Sequence, residues 1–389
     1  MSPARAIWLA GGPAGRARAA ELAAALEPEF RALFLGPAGE PAPELLLEPA
    51  NDLSLALDAC PLGLRPAAAL CLEPEAPPAG LAGLPCPTLA WGAPAEDCDQ
   101  AAPADAAAAA RALRQAARQG RAWPWLAQVQ VNLPLRLLLD RYRPLAEELA
   151  VNPEVGIDAL ALDQLGPAEL DQAAGLLAGR RVSVHLPFLD LSPGSPDPAI
   201  ARTSLERLAK AADWAIRLGA SRAVGHLGYL ADTHRDLEAF TQRLASGLAP
   251  IAARLAQGGC PLALENTFEP APGVLLAARE AIIAAGGPAV EFCLDLGHAY
   301  CFSVTPLEAW WEALAPHIGE LHLHDNDGGF DSHQPPGRGV VDWAYVKRQI
   351  ASLPAPPLLT LEPHAEPDLW ASLRALERVW GEPFPPQAD

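Results

Sequence analysis

Residues 222–266 read RAVGHLGYLADTHRDLEAFTQRLASGLAPIAARLAQGGCPLALEN. Arg222–Leu227 and Pro261–Asn266 are short apolar runs, and each closes on a residue able to bind a metal, His226 in GHLG and Glu265 in LENT. Between them, Leu237–Gln257 carries apolar residues at helical spacing. Strand, helix and strand in succession make one parallel βαβ unit, with the helix as the crossover.

The alternation continues on both sides. Strands are expected at Val129–Leu133, Gly156–Leu160, Arg181–Pro187, Val290–Leu294, Glu320–His324 and Leu358–Glu362 as well. Helical patterns include Ala201–Leu218, with Leu205, Leu208, Ala212 and Ile216 on one stripe, and Pro306–Ala315. Eight strand–helix units in roughly 250 residues is the repertoire of a (β/α)8 TIM barrel. A doubly wound open sheet is the alternative, but it rarely needs eight parallel strands in a row. Residues 123–389 are therefore expected to form a TIM barrel with a C-terminal helix.

Residues 1–122 read as a small Rossmann-like α/β domain with an accessory role. Ile7–Ala10 is strand-like, runs into Gly11-Gly12-Pro13, and precedes a helical stretch near Arg16–Leu26. Further apolar runs fall at Ala32–Leu35, Leu45–Leu47, Ala68–Leu72 and Thr88–Trp91, and Ala101–Gln119 is expected as a connecting helix. The glycines match neither GxGxxG nor GxxxxGK[ST], so no nucleotide site is assigned.

With 28 Lys and Arg against 47 Asp and Glu, the chain carries a net charge of −19. A nucleic-acid surface needs clustered cations, so nucleic acid is disfavoured as a partner and a small-molecule substrate is favoured. No apolar run approaches the ~20 residues of a membrane span, and no signal-peptide pattern opens the chain. The seven cysteines include no CxxC pair. A cytoplasmic protein with free thiols is expected.

The strand ends carry the chemistry. They place His185 (VHLPF), His226, Glu265, Asp295 with His298 (LDLGH), His322 and Glu362 (LEPH). The run Glu320–Trp343, ELHLHDNDGGFDSHQPPGRGVVDW, adds Asp331 and His333. In a TIM barrel the C-terminal strand ends converge on one mouth. Imidazoles and carboxylates gathered there form a ligand set for zinc or manganese, with one to three ions expected. No Arg or Lys lies at these strand ends to neutralise the carboxylates, which are costly to bury unpaired. His324 and Asp325 are expected to orient the ligands, and Trp343 to anchor the loop. Cys293 is expected deeper in the barrel, and Trp310 and Trp311 in helix packing. His234, His317 and His364 fall outside the pattern.

From about residue 125 to 365 the pattern resembles the xylose-isomerase-like, AP-endonuclease-family-2 superfamily of TIM barrels. By that resemblance, Glu265, Asp295, His322 and Glu362 correspond to the metal quartet shared by sugar epimerases and endonuclease IV. His185, His226, His298, Asp331 and His333 match the positions with which endonuclease IV holds further zinc ions, and DSHQPPGRG repeats its D-x-H-x-x-x-G-x-G spacing. The resemblance implies that His185 and His226 serve one metal, bridged by Glu265 to a second, with His298, Asp331 and His333 on a third.

Two chemistries fit such a site. In isomerisation or epimerisation of a sugar or sugar phosphate, the metal stabilises enediolate charge, and Glu265 and Glu362 move the proton as the catalytic pair. His324 would then contact hydroxyl groups and Arg338 a phosphate. In phosphoester hydrolysis, several ions stabilise attacking and leaving oxygens, as in endonuclease IV or cobamide-remodelling phosphodiesterases. The first is placed ahead because the quartet suffices for it. A non-catalytic, metal-stabilised binding protein ranks third.

Overall fold

A computed structural model describes residues 5–10, 18, 19, 22, 26, 30–35, 66–72, 81–95, 97–119, 121–149 and 151–381. The chain divides into two compact units, Met1–Trp123 with Pro363–Arg374, and Pro124–Glu362 with Ala375–Asp389.

The first unit holds a five-stranded sheet of β1 (Arg5–Ala10), β2 (Phe30–Leu35), β3 (Pro66–Cys71), β4 (Thr88–Trp91) and β5 (Gln100–Ala102) in the order β2-β1-β3-β4-β5. Every neighbouring pair is parallel. The near-continuous apolar runs Ile7–Ala10 and Ala68–Leu72 are buried, as strands covered on both faces require. The expected connecting helix begins at Ala106 rather than Ala101, because residues 101 and 102 belong to β5. Its Ala109, Ala110, Leu113, Ala116 and Ala117 pack with Ile7, Leu9 and Leu70. The expected run Leu45–Leu47 and the Gly11-Gly12-Pro13 turn lie outside the described residues. Arg374, 3 % exposed, donates to the carbonyls of Leu84 (2.6 Å) and Cys86 (2.8 Å), so its buried charge meets fixed dipoles.

The second unit is the expected barrel. Its strands are β6 (Gln130–Pro134), β7 (Asn152–Gly156), β8 (Ser183–His185), β9 (Ala223–His226), β10 (Leu262–Glu265), β11 (Glu291–Asp295), β12 (Ile318–Leu323) and β13 (Leu358–Leu361), closed into a ring by the parallel β13–β6 and β9–β10 pairs. The crossover helices Pro198–Arg217 and Leu237–Gln257 begin at Asp197 and Asp236, whose carboxylates accept from Ala199 and Ala239 N–H groups.

One strand differs from expectation. β7 is Asn152–Gly156, not Gly156–Leu160. The apolar residues from Ala159 onward belong to the helix Ala159–Gln164, capped by Asp158 on Ala161 N–H. Pro153 and Glu154 disguise the true strand, and the error hid an inward-facing carboxylate.

Strand period places a second layer two residues below the strand ends. Part of it is apolar: Val224, Ala263 and Cys293 pack together beneath His226, Glu265 and Asp295. Part is polar: Glu320 accepts from Ser183 (3.3 Å) and Thr360 (2.5 Å), and Gln130 donates to Ser183 (3.1 Å). Burial, with Glu154 adding to it, pushes the Glu320 carboxyl up to about 7. Cys293 is fully buried, as are Trp310 and Trp311. Cys86, Cys98, Cys260, Cys293 and Cys301 are free thiols. No helix among the described residues is long and apolar enough to cross a membrane.

Candidate metal centre

Register sets the site. Glu265 pairs across the sheet with His226, and Asp295 with His322, so ligands from consecutive strands stand side by side. The nine expected ligands fall into overlapping groups whose ligand atoms lie within 4.8 Å of one another: His185, His226 and Glu265; Glu265, Asp295 and His322; Glu154, His322 and Glu362; and Asp331 with His298, His324 and His333.

In the quartet, His322 Nδ1 faces Glu362 Oε2 at 3.3 Å, Glu265 Oε1 at 3.5 Å and Asp295 Oδ2 at 3.6 Å. This nitrogen is buried and makes no hydrogen bond. Tetrahedral ligands about 2.1 Å from an ion stand about 3.4 Å apart, so His322 Nδ1 stands at ligand spacing from each of the three carboxylates, and it is shared between the groups Glu265–Asp295–His322 and Glu154–His322–Glu362. The other nitrogen, Nε2, lies 3.3 Å from Glu154 Oε2. Glu154 accepts in turn from Asn132 Nδ2 at 2.7 Å. A histidine held by a carboxylate on its far side is the usual support for a metal ligand.

Glu265 joins the quartet to the histidine pair. Its Oε2 is 3.0 Å from His185 Nε2 and 2.9 Å from His226 Nε2. His185 Nδ1 donates to the Leu186 carbonyl (2.9 Å), which leaves its Nε2 lone pair facing inward when the ring is neutral. The same device fixes His298, through the Asn266 carbonyl, and His333, through the Glu362 carbonyl, both at 2.9 Å. Nε2 of each then lies 3.1 Å from Asp331 Oδ2.

These contacts dominate the titration. Burial pulls the His185 imidazole down, but Glu265 outweighs it and raises it to about 9. His333 reaches about 9 in the same way beside Asp331. His226 is held below its usual value by burial. Glu265 and Asp295 stay well below the carboxylate range because surrounding histidines, His226 and His322 for one and His298 and His324 for the other, overcome the cost of burial.

The loop after β12 is held by Asp325. Its carboxylate accepts from the N–H groups of Asn326 (3.0 Å), Gly337 (2.9 Å) and Val341 (3.1 Å) and from Trp343 Nε1 (2.8 Å). Trp343 thus anchors the loop as expected. Gly337 has φ 82°, and a Cβ on Gly339 would overlap Asn326 O, so both glycines of the GRG turn are required. His324 is 2 % exposed and donates from Nε2 to Asp295 Oδ2 at 3.0 Å. Arg338 is exposed on the turn.

Glu154 is the residue that sequence reasoning missed, although its signal was present as a lone carboxylate in a strand-length segment, NPEVG. Glu269 is a second unassigned carboxylate. It is fully buried and accepts from Thr267 N–H (2.6 Å), and burial raises it to about 7.

The profile of the xylose isomerase-like TIM-barrel family matches residues 150–379. The protein MJ1614 of Methanocaldococcus jannaschii is 26 % identical over 258 residues, 64 % of this chain and 99 % of its own. Among solved structures, the TTHB071 protein from Thermus thermophilus, from a crystal soaked with zinc chloride, is 33 % identical with a TM-score of 0.55, over 66 % of this chain and all of that one. A D-tagatose 3-epimerase-like protein shares the fold at 21 % identity and a TM-score of 0.54, over 64 % of this chain and 98 % of that one.

Proposed function

The chain belongs to the xylose isomerase-like TIM-barrel family, and from that premise we propose that it is a divalent-metal-dependent isomerase or epimerase of a small polyhydroxylated substrate. One observation carries this: three carboxylate oxygens, from Glu265, Asp295 and Glu362, face the unpartnered His322 Nδ1 at 3.5, 3.6 and 3.3 Å, the spacing of ligands that share an ion. Zinc or manganese bound there supplies a positive centre for two neighbouring substrate oxygens. Proton transfer falls first to Glu362, whose side chain is 12 % exposed against 1 % for Glu265. Burial raises the Glu362 carboxyl, and His322 more than offsets this, so it is ionised and able to accept a proton. Glu265, committed to His185 and His226 through Oε2, is the second member of the pair. His324 orients Asp295, and Arg338 is the exposed cation assigned to the substrate. A cytoplasmic location and an accessory role for residues 1–122 belong to the same proposal.

Phosphoester hydrolysis is the second reading, favoured by the two further ligand groups around His185 and Asp331. The deciding experiment incubates manganese- or zinc-loaded protein in D2O with D-fructose or D-tagatose, and separately with bis(4-nitrophenyl) phosphate. Deuterium entering the sugar with near one ion per chain supports the epimerase. Phosphate-ester cleavage without exchange, with two or three zinc ions per chain, would replace it with the hydrolase. Metal content unchanged in both Glu265→Gln and His322→Ala would refute the site itself.

A further inference from the structure

Exposed apolar side chains are concentrated on one end of the barrel. Of the eleven large ones among the described residues, nine stand in the loop or first helical turn that follows a barrel strand; Val304 follows the short helix Leu296–Cys301 after β11, and Ile283 stands near the end of the helix Gly273–Ala284. Phe188, Phe268 and Phe330 are 44 %, 53 % and 71 % exposed. Single exposed apolar residues are ordinary, but their collection on one face marks a binding surface.

This apolar collar is continuous with the ligand cluster. The Phe188 ring lies 4.5 Å from that of His226 and 5.2 Å from that of His185. On the loops after β10 and β11, Phe268 lies 4.6 Å from Phe302, which lies 5.3 Å from His298. Whatever reaches the metal centre by this mouth passes aromatic rings. A free hexose, hydroxylated around its perimeter, would cover little of them.

We infer that the substrate is a sugar joined to an apolar group of aromatic size, its polyol half at the ligand cluster and its apolar half against Phe188 and the Phe268–Phe302 pair. The inference rests on the sugar reading above and adds the substrate class. An aromatic group stacked on exposed phenyl rings gains both buried area and ring–ring contact.

The test is calorimetric titration of the manganese-loaded full chain with methyl and phenyl β-D-glucopyranosides and β-D-fructopyranosides. For at least one sugar, the phenyl glycoside should bind tenfold or more tightly than the methyl glycoside. Phe188→Ala and Phe268→Ala should each cut that ratio below threefold and leave the methyl glycoside within twofold of wild type. Equal binding of the two, a ratio that survives both variants, or binding of neither overturns the inference. So does a concentration-dependent dimer that Phe330→Ala abolishes, which would assign the collar to a second copy of the chain. Binding requires no turnover, so a phenyl preference without deuterium exchange sinks only the epimerase reading. Exchange on a free ketose without a phenyl preference sinks only this one.

Discussion

His324 and His333 lie face to face, their rings 2° from parallel and their centroids 3.9 Å apart. His324 holds Asp295 of the quartet, and His333 shares Asp331 with His298. The stack is therefore a direct mechanical link between two ligand groups. Gly297 makes room for it, since a Cβ there would overlap the His324 ring. Gly297→Ala should displace His324 and weaken binding at both groups by tenfold or more, read by competition with a chromophoric chelator. Wild-type affinity at both would show that His324 positions neither.

Glu154 should matter without touching substrate. Glu154→Gln keeps the shape but removes the charge facing His322 Nε2. Metal affinity at the quartet is expected to fall about 10–100-fold, the usual cost of losing an outer partner. Glu154→Ala should do at least as much, and a variant indistinguishable from wild type would remove Glu154 from the site.

Asp325 serves the loop rather than the ion. Asp325→Ala leaves three N–H groups and the Trp343 indole without their acceptor. The expected cost is about 3–5 kcal/mol of unfolding free energy, measured by urea denaturation. A cost below about 1 kcal/mol, the worth of one ordinary hydrogen bond, would mean the loop holds its shape by other contacts.

The metal-free protein should lose stability as the solution becomes alkaline. His185 and His333 are raised from about 6.5 to about 9 when folded. Their contribution is fully present below pH 6.5 and disappears as pH rises through 9. Glu265 and Asp295, held low, act in the opposite direction and lose their contribution only in acid. Calorimetry in EDTA should show Tm falling by several degrees between about pH 6.5 and 9.5. Bound metal should flatten the fall, because imidazoles ligate in the neutral form. A Tm in EDTA that rises over this range would contradict the assignment.

The barrel was legible because apolar strand runs and helical stripes alternate at distinct periods, and the strand-end ligands because one topology brings them to one mouth. Glu154 was not, because Pro153 and a charge broke the apolar run that marks a strand. Grouping was also invisible. Whether Glu265 sits with His185 and His226, or His324 with Asp331, depends on register and ring orientation, which spacing in the sequence does not encode. The collar of Phe188, Phe268 and Phe330 was unreadable for the same reason, since exposure at a loop tip is set by neighbours distant in the chain.

The quartet comes from the consecutive strands β10 to β13, while the extra histidine pair stands on β8 and β9. The two sets thus occupy different stretches of the gene, with Glu265 at their junction. Inheritance can act on them separately: a lineage could lose His185 and His226 by point substitution and keep a complete single-ion centre. A lineage losing Glu265 would forfeit both at once. In descendants of this barrel, that glutamate should be the last of the three to drift.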